Sequence, residues 1–285
     1  MSEPAPQRRL VAGLYVVATP IGNLEDLSPR ARRVLATAAV IAAEDTRTSG
    51  LLVRLAGGAG RLVSLTDHNV DERAPMLLDQ AREAPVALVS DAGTPAISDP
   101  GAALVAGAHA RGIPVFGVPG PSALITALAI SGFPAVPSAF LGFLPKNRNE
   151  RLALLGRTAA VSPTIVVFEN PGRLPRLLEE IAAALPGAEV LVARELTKMH
   201  EEAVRGDPLE LAHRFEGTRG ECTVVIHAPP RPVEGEDDAG LAAYLAEMKR
   251  AGARRSAAAA EAARRFHVSR ETAYAAWPQD GDGRA

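Results

Sequence analysis

Cysteine is almost absent from this chain: Cys222 is the only one among 285 residues. A disulfide framework is thereby excluded, and a lone thiol fits a reducing, cytoplasmic compartment. Aromatic residues make up only 4% of the chain, which leaves little material for an aromatic-rich pocket around a large flat ligand. No uncharged apolar run approaches the roughly 18–20 residues needed to span a bilayer, so no membrane partner is expected. Neither a G-x-G-x-x-G following a strand nor a G-x-x-x-x-G-K-[ST] occurs. A dinucleotide-binding Rossmann site and the usual P-loop nucleotide hydrolases lose their main support. Lysine is scarce too: of 31 basic residues, only Lys146, Lys198 and Lys249 are lysines. Where arginine serves nearly everywhere else, a surviving lysine points to a need for ammonium geometry or pKa, which draws attention to Lys198.

What is present suits a globular chain of two ordinary domains, with 47% apolar and 22% charged residues. Strand-like and helix-like stretches alternate, the pattern of α/β architecture. Strands are predicted at 14–19, 40–43, 62–65, 86–90 and 115–118, then at 139–143, 164–168, 189–193 and 222–227. Arg8-Arg9 before the apolar 10–18 stretch superficially resembles a signal peptide. The turn residues Pro20, Gly22 and Asn23 and the lack of a small-residue cleavage pattern favour a first strand instead. Ser28-Pro29 and Asp99-Pro100 each place a capping side chain before a helix-starting proline. Leu174, Leu177, Leu178, Ile181 and Leu185 form a helical stripe.

The expected organisation is a flexible 1–11, an α/β domain over 12–134, a hinge at 133–137 and a second α/β domain over 135–228. A solvated linker over 229–240, a small helical domain over 241–277 and a disordered 278–285 complete it. The net charge of −2 argues against a generic nucleic-acid coat, but charge is uneven. Residues 241–277 carry seven Lys/Arg against three Glu, and a basic loop runs through Lys146, Arg148, Arg151 and Arg157.

Three loops follow strands of the first domain, where open α/β sheets bind ligands: 18–24, 90–101 and 118–123. Glycine lets backbone approach a ligand and proline stiffens the loop. The third loop opens directly into a helix, whose free N–H groups suit an anion such as a carboxylate. The competing reading is of tight turns between buried strands.

The residues 14–24, Glu44-Asp45-Thr46-Arg47, Asp67-His68-Asn69, 90–101 and 118–123 resemble those of the tetrapyrrole methylase superfamily. The runs 140–146, 168–174 and 194–198 narrow the resemblance to its ribosomal RNA branch, which methylates a ribose 2′-oxygen of a cytidine in the 16S decoding region. The resemblance spans about residues 12–227. It implies two α/β domains with S-adenosylmethionine in the trough between them, usually a homodimer, acting on ribosomal RNA of the small subunit. It places cofactor contacts at Pro20, Ile21, Asp91, Ala92, Gly93, Thr94, Ile97, Ser122 and Ala123, with Glu169 and Leu196 on the other wall. Phe168 and Ala193 fit either the wall or the core.

Methyl transfer from a sulfonium is an in-line displacement, so the enzyme mainly aligns acceptor, methyl and sulfur. A ribose hydroxyl also needs a nearby proton acceptor; no metal is required, and no ligand spacing suggests one. Glu195 or Asp45 is the candidate acceptor, with Lys198 and Arg47 holding phosphate or ribose. Asp45 fits a helix N-cap equally well, and Glu195 with Lys198 fits a surface ion pair. Glu44, His68, Asn69, Lys146 and Arg148 are candidate substrate contacts. His68-Asn69 also reads as a turn cap and Lys146-Arg148 as a solvated loop. The tail around 258–277 resembles a degenerate helix-turn-helix, or else a helical cap. A small-tetrapyrrole methylase and a ligand-sensing nucleic-acid-binding regulator remain the alternatives.

Overall fold

The computed structural model describes residues 10–228, 238–266 and 268–278. Most of the expected flexible 1–11 and disordered 278–285, and most of the expected linker 229–240, fall outside the described residues.

The first sheet contains β1 (Gly13–Val17), β2 (Val40–Ala43), β3 (Arg61–Ser64), β4 (Pro85–Val89) and β5 (Val115–Val118). Its helices are α1 (Pro29–Thr37), α2 (Thr46–Leu55), α3 (Val70–Glu83), α4 (Ala102–Ala110) and α5 (Ala123–Ile130). The second sheet contains β6 (Ser138–Phe143), β7 (Thr164–Glu169), β8 (Glu189–Arg194), β9 (Glu202–Gly206) and β10 (Cys222–His227). Helices α6 (Arg148–Ala159), α7 (Leu174–Ala184) and α8 (Pro208–Arg214) accompany it.

All pairings in the first sheet are parallel, in the order β3-β2-β4-β1-β5. Such a sheet needs cover on both faces, which is why its inner strands β2, β4 and β1 are nearly continuous apolar runs. Leu14, Val40, Val86 and Leu88 pack under Leu77 of α3 and Leu104 of α4. Tyr15, Val17, Ile41 and Val89 pack on the opposite face with Val34 of α1 and Val53 of α2.

The second sheet is mixed, in the order β6-β7-β10-β8-β9. Only β6 and β7 run parallel; β10 enters antiparallel between β7 and β8. One face buries Leu174, Leu177, Leu178 and Ile181 of α7, each such side chain contributing about 1.5–3 kcal/mol. The other face places Val166, Leu191 and Val225 against Ala127 of α5, with Ile21 and Leu196 in the same cluster. Helix α5 of the first half thus completes the core of the second, and both sheets belong to one compact unit.

Three features depart from the sequence reading. Strand β9 was not expected; it pairs antiparallel with β8 at the sheet edge. Asp99-Pro100 does not start a helix: α4 opens at Ala102 behind Gly101, whose φ is 125°. A Cβ at Gly101 would sit 2.7 Å from Leu88, so this close approach sets the start. Arg151, read as part of a basic loop, lies in α6 with its side chain only 9% exposed.

The remaining described residues form a separate unit of three helices, α9 (Asp238–Arg250), α10 (Arg255–Arg265) and α11 (Arg270–Ala275). Helix α9 therefore begins inside the expected linker. Leu241, Leu245, Ala259, Ala262 and Ala273 make its small core. Ser269 caps α11, its hydroxyl accepting the Thr272 N–H at 2.9 Å.

Candidate active site

Strands β4, β1 and β5 are neighbours, so the three loops leaving their C-terminal ends lie side by side. Hydrogen bonds join them. The Thr19 N–H donates to the Gly93 carbonyl at 2.8 Å, and the Gly93 N–H returns to Thr19 at 3.1 Å. The Thr94 hydroxyl donates to the Pro121 carbonyl at 3.3 Å. Ala96 and Ser98 in the long loop take φ of 67° and 64°. Each costs about 1–3 kcal/mol that its surroundings must offset, a strain that concentrates at ligand sites.

These loops wall a cavity of about 350 Å³, a size ordinary for small-molecule sites. Ile21, Ala92, Gly93, Thr94 and Ile97 line it, joined by Ser122 and Ala123 at the start of α5. The second sheet contributes Phe143, Phe168 and Glu169, and the 220–223 segment entering β10. Ala123 and Leu124 head a helix, so their N–H groups have no intrahelical acceptor and suit an anion. Phe143 and Phe168 stand 5.7 Å apart as a tilted ring pair.

Eight of the eleven expected cofactor positions line this cavity. Pro20, Asp91 and Leu196 do not. Leu196 is buried beside Ile21, and Asp91 accepts the Asp45 N–H at 3.0 Å. Phe143, Asn170, Glu221, Cys222 and Thr223 were missed. Phe143 and Asn170 lie inside the runs 140–146 and 168–174 without being singled out, whereas Glu221, Cys222 and Thr223 carry no motif and reach the wall through the insertion of β10 between β7 and β8.

Asp99, Glu169 and Glu221 line the cavity, whereas Glu44, Asp45 and Glu195 do not. Glu169 is buried, accepting from its neighbour's Asn170 N–H at 2.6 Å and from Arg173 Nε at 2.8 Å. Burial, reinforced by the charge of Asp91, raises the Asp99 pKa against a hydrogen bond from Ser90. Burial also raises Glu44, with Asp91 and Asp99 adding to the effect. Burial pushes the Cys222 thiol up to about 11, which leaves it without thiolate reactivity.

The expected catalytic groups fall into two loops. After β8, Glu195 and Thr197 take φ of 52° and 67°. Glu195 Oε1 accepts the Glu221 N–H at 2.9 Å and Lys198 Nζ at 3.0 Å; its Oε2 has no partner among the described residues. The Glu221 N–H and then Lys198 hold the Glu195 pKa below its ordinary value. Burial works against the Lys198 ammonium, but its bonds to Glu195 and Glu221 outweigh that and raise it. Gly220 (φ 98°) permits the contact, since a Cβ there would lie 2.5 Å from Glu195 Oε1. Gly22 of the first loop packs on the same turn, where a Cβ would meet Lys198 Cγ at 2.4 Å.

After β2, Asp45 caps α2, its Oδ1 accepting the Arg47 N–H at 2.8 Å. The Arg47 guanidinium spans both carboxylate oxygens, at 3.3 and 2.9 Å. Asn69 builds a turn, accepting from the Thr66 N–H and donating to the Ser64 carbonyl, while His68 is exposed. Lys146 and Arg148 stand at the entry to α6, with Arg148 Nε 3.6 Å from Glu180.

Two α/β sheets enclosing a largely apolar cavity at the carboxyl ends of parallel strands define a two-lobed small-ligand enzyme. Residues 13–212 match the family described as Tetrapyrrole (Corrin/Porphyrin) Methylases, and the chain belongs to that family. It is 47% identical to the Ribosomal RNA small subunit methyltransferase I of Mycobacterium tuberculosis (strain CDC 1551 / Oshkosh) over 221 residues, covering 75% of this chain and 76% of that one. It is 39% identical to the protein of that name from Mesorhizobium japonicum over 274 residues, covering 94% and 92%. Among solved structures, uroporphyrin-III C-methyl transferase from Thermus thermophilus complexed with S-adenyl homocysteine shares the fold. Its TM-score is 0.53 at 23% identity, covering 75% of this chain and 97% of that one. Among the described residues, no group of three or more His, Cys, Asp or Glu could hold a metal ion. No described helix is long and apolar enough to cross a membrane.

Proposed function

We propose that this protein transfers a methyl group from S-adenosylmethionine to ribosomal RNA of the small subunit, at the ribose 2′-oxygen of a cytidine in the decoding region. The observation that carries this reading is the cavity between the lobes, in a chain whose relatives are named for small-subunit ribosomal RNA methylation.

The residues present fit the cofactor chemically. Ile21, Ile97 and the Phe143–Phe168 pair offer apolar contact to a purine. The first N–H groups of α5 suit its carboxylate, and Asp99 and Glu169 lie on the wall for its cationic groups. Gly93, at φ 79°, leaves space that a Cβ would fill, with only Ile21 within 4 Å. S-adenosylmethionine supplies an already activated methyl group, so alignment is the main task left to the protein. Leu196, buried in one cluster with Ile21, supports this wall from behind.

Glu195 is the proton acceptor in this reading. Its Oε1 is fixed by two donors while Oε2 stays open, and its lowered pKa keeps it ionised. A fixed carboxylate can accept the hydroxyl proton as the new C–O bond forms. Lys198 orients Glu195 and adds positive charge for the ribose or phosphate. Asp45 has both oxygens engaged by Arg47, which leaves it the capping role. Glu44, His68 and Asn69 border the substrate side.

A homodimer in the cytoplasm accompanies the reading; exposed Ile125, Ile130 and Val136 supply apolar surface for a second copy. Domain limits of 12–134, 135–228 and 241–277 are supported by the gap between α5 and β6 and by the separate helical unit.

The test is transfer of labelled methyl from S-adenosylmethionine to small subunits from a strain lacking the enzyme, with nucleoside analysis. Label in 2′-O-methylcytidine or its further-methylated form supports the reading. Label only in a tetrapyrrole precursor run in parallel overturns the RNA assignment.

A further inference from the structure

Beside the cavity lies a smaller groove of about 250 Å³, lined by Lys146, Arg151, Glu169, Arg173, Arg176 and Leu177. Glu169 belongs to both walls, so one buried side chain separates the groove from the cavity.

The groove is built around a buried ion pair. Arg151 Nε and Nη2 donate to the two oxygens of Glu180 at 2.7 and 2.9 Å. Its Nη1 donates to the carbonyls of Pro145 and Lys146 at 2.7 and 3.1 Å. The same guanidinium thus joins α6 to α7 and fixes the turn that carries Lys146. Glu180 also receives Arg176 at 3.1 Å and approaches Arg148 at 3.6 Å. Glu169 is matched by Arg173. Four arginines therefore share two carboxylates. The Lys146 ammonium has no hydrogen-bond or ion-pair partner among the described residues.

Buried charges are normally paired, and here the buried carboxylates are satisfied while the excess positive charge lies on the open side. Such a surplus calls for an anion. Guanidinium forks match the two free oxygens of a phosphodiester, and an ammonium adds a point charge. An RNA strand with one nucleotide in the cavity must lead its neighbouring phosphates along the rim. We propose that this groove receives a backbone phosphate flanking the nucleotide being methylated, with Lys146 as a direct contact. The proposal rests on the ribosomal RNA reading and deepens it.

Lys146→Ala, Lys146→Glu and Lys146→Arg test it, because this side chain has no protein partner to disrupt. Methyl transfer to unmodified small subunits is measured across a salt series, with cofactor affinity by calorimetry and melting temperature as controls. Lys146→Ala should raise KM for the subunits with kcat retained, and lower the slope of log affinity against log salt by about 0.7–0.9, the value of one phosphate contact. Lys146→Glu should raise KM further, and Lys146→Arg should restore both quantities. A wild-type KM and salt slope in Lys146→Ala and Lys146→Glu would overturn the groove while leaving the methylation reading intact. So would an equal loss in all three variants. Absence of methyl transfer by the wild-type enzyme overturns the functional reading, and the phosphate assignment with it.

Discussion

The loops after β2 and β8 both place a carboxylate within three residues of a cation, yet the fold uses them differently. In the first, the contacts close locally. Asp45 caps the helix that follows it, and Arg47, 91% exposed, covers both of its oxygens. In the second, Glu195 is held from 26 residues away by the Glu221 N–H and from within its own turn by Lys198. Gly22, from the loop after β1, packs on that turn. A carboxylate bridged at both oxygens by one guanidinium presents little open edge to another group. One fixed through a single oxygen keeps the other available at a rigid position. The pKa directions agree in sign but not in cause. Asp45 is lowered by its hydrogen bond from Arg47, Glu195 first by a backbone N–H.

The largest expected effect separates the two loops directly. Glu195→Ala should lower turnover by about 10²–10⁴, the usual contribution of a general base, with cofactor affinity unchanged by calorimetry. Asp45→Ala should retain turnover and lower only the melting temperature, through loss of the cap. The reverse pattern would exchange their roles.

Next comes Gly220→Ala, which would drive a Cβ against Glu195 at a left-handed φ. It should cost roughly 1–3 kcal/mol in a denaturant titration and reduce turnover. An unchanged midpoint would mean that Glu195 is less rigidly held than its contacts imply.

Acid titration sharpens the contrast on the electrostatic side. The Glu195 pKa is lowered, so its ion-pair stabilisation is present above the ordinary glutamate range and lost as pH falls through the folded value. The melting-temperature gap between wild type and Glu195→Gln should stay flat near neutrality and close on acidification. Asp99 has the opposite sign: its pKa is raised, so its contribution is present at low pH and lost as pH rises through the folded value. Asp99→Asn should therefore melt higher than wild type at neutral pH, and the gain should vanish below the ordinary aspartate range.

The smallest effect is expected from Arg47→Ala, at a fully solvated side chain. Neither turnover nor melting temperature should change measurably, since exposed pairs of this kind contribute little. A large loss of turnover would bring the β2 loop into the chemistry.

Nine of the ten strands were legible because each carries a short stretch of apolar residues, fully buried in β2, β7, β8 and β10 over most of their length. Strand β9 was not: Glu202–Gly206 is a polar edge strand whose alternation is filled by Glu, Arg and small residues. The first-sheet wall of the cavity was legible because glycine, proline and capping residues mark its loops. The second wall carries such marks only at Asn170-Pro171; its 220–223 segment was not picked out. Phe143 and Cys222 look like ordinary strand residues, and Gly220 has a local role only once Glu195 lies beside it. Asp99 read as a cap because its neighbour is proline, whereas contact between Gly101 and Leu88 moves the helix start and leaves Asp99 at the cavity.

The amino-acid order by itself determined what depends on near neighbours: the alternation of strands and helices, the caps at Ser28, Asp45 and Ser269, and the stiff loops after β1, β4 and β5. Tertiary structure alone decided which of two similar carboxylate–cation loops keeps an open oxygen. It also decided which strand end closes the cavity, and where surplus positive charge collects beside it. Those outcomes depend on backbone groups and side chains brought together from distant parts of the chain, and local spacing carries no record of such pairings.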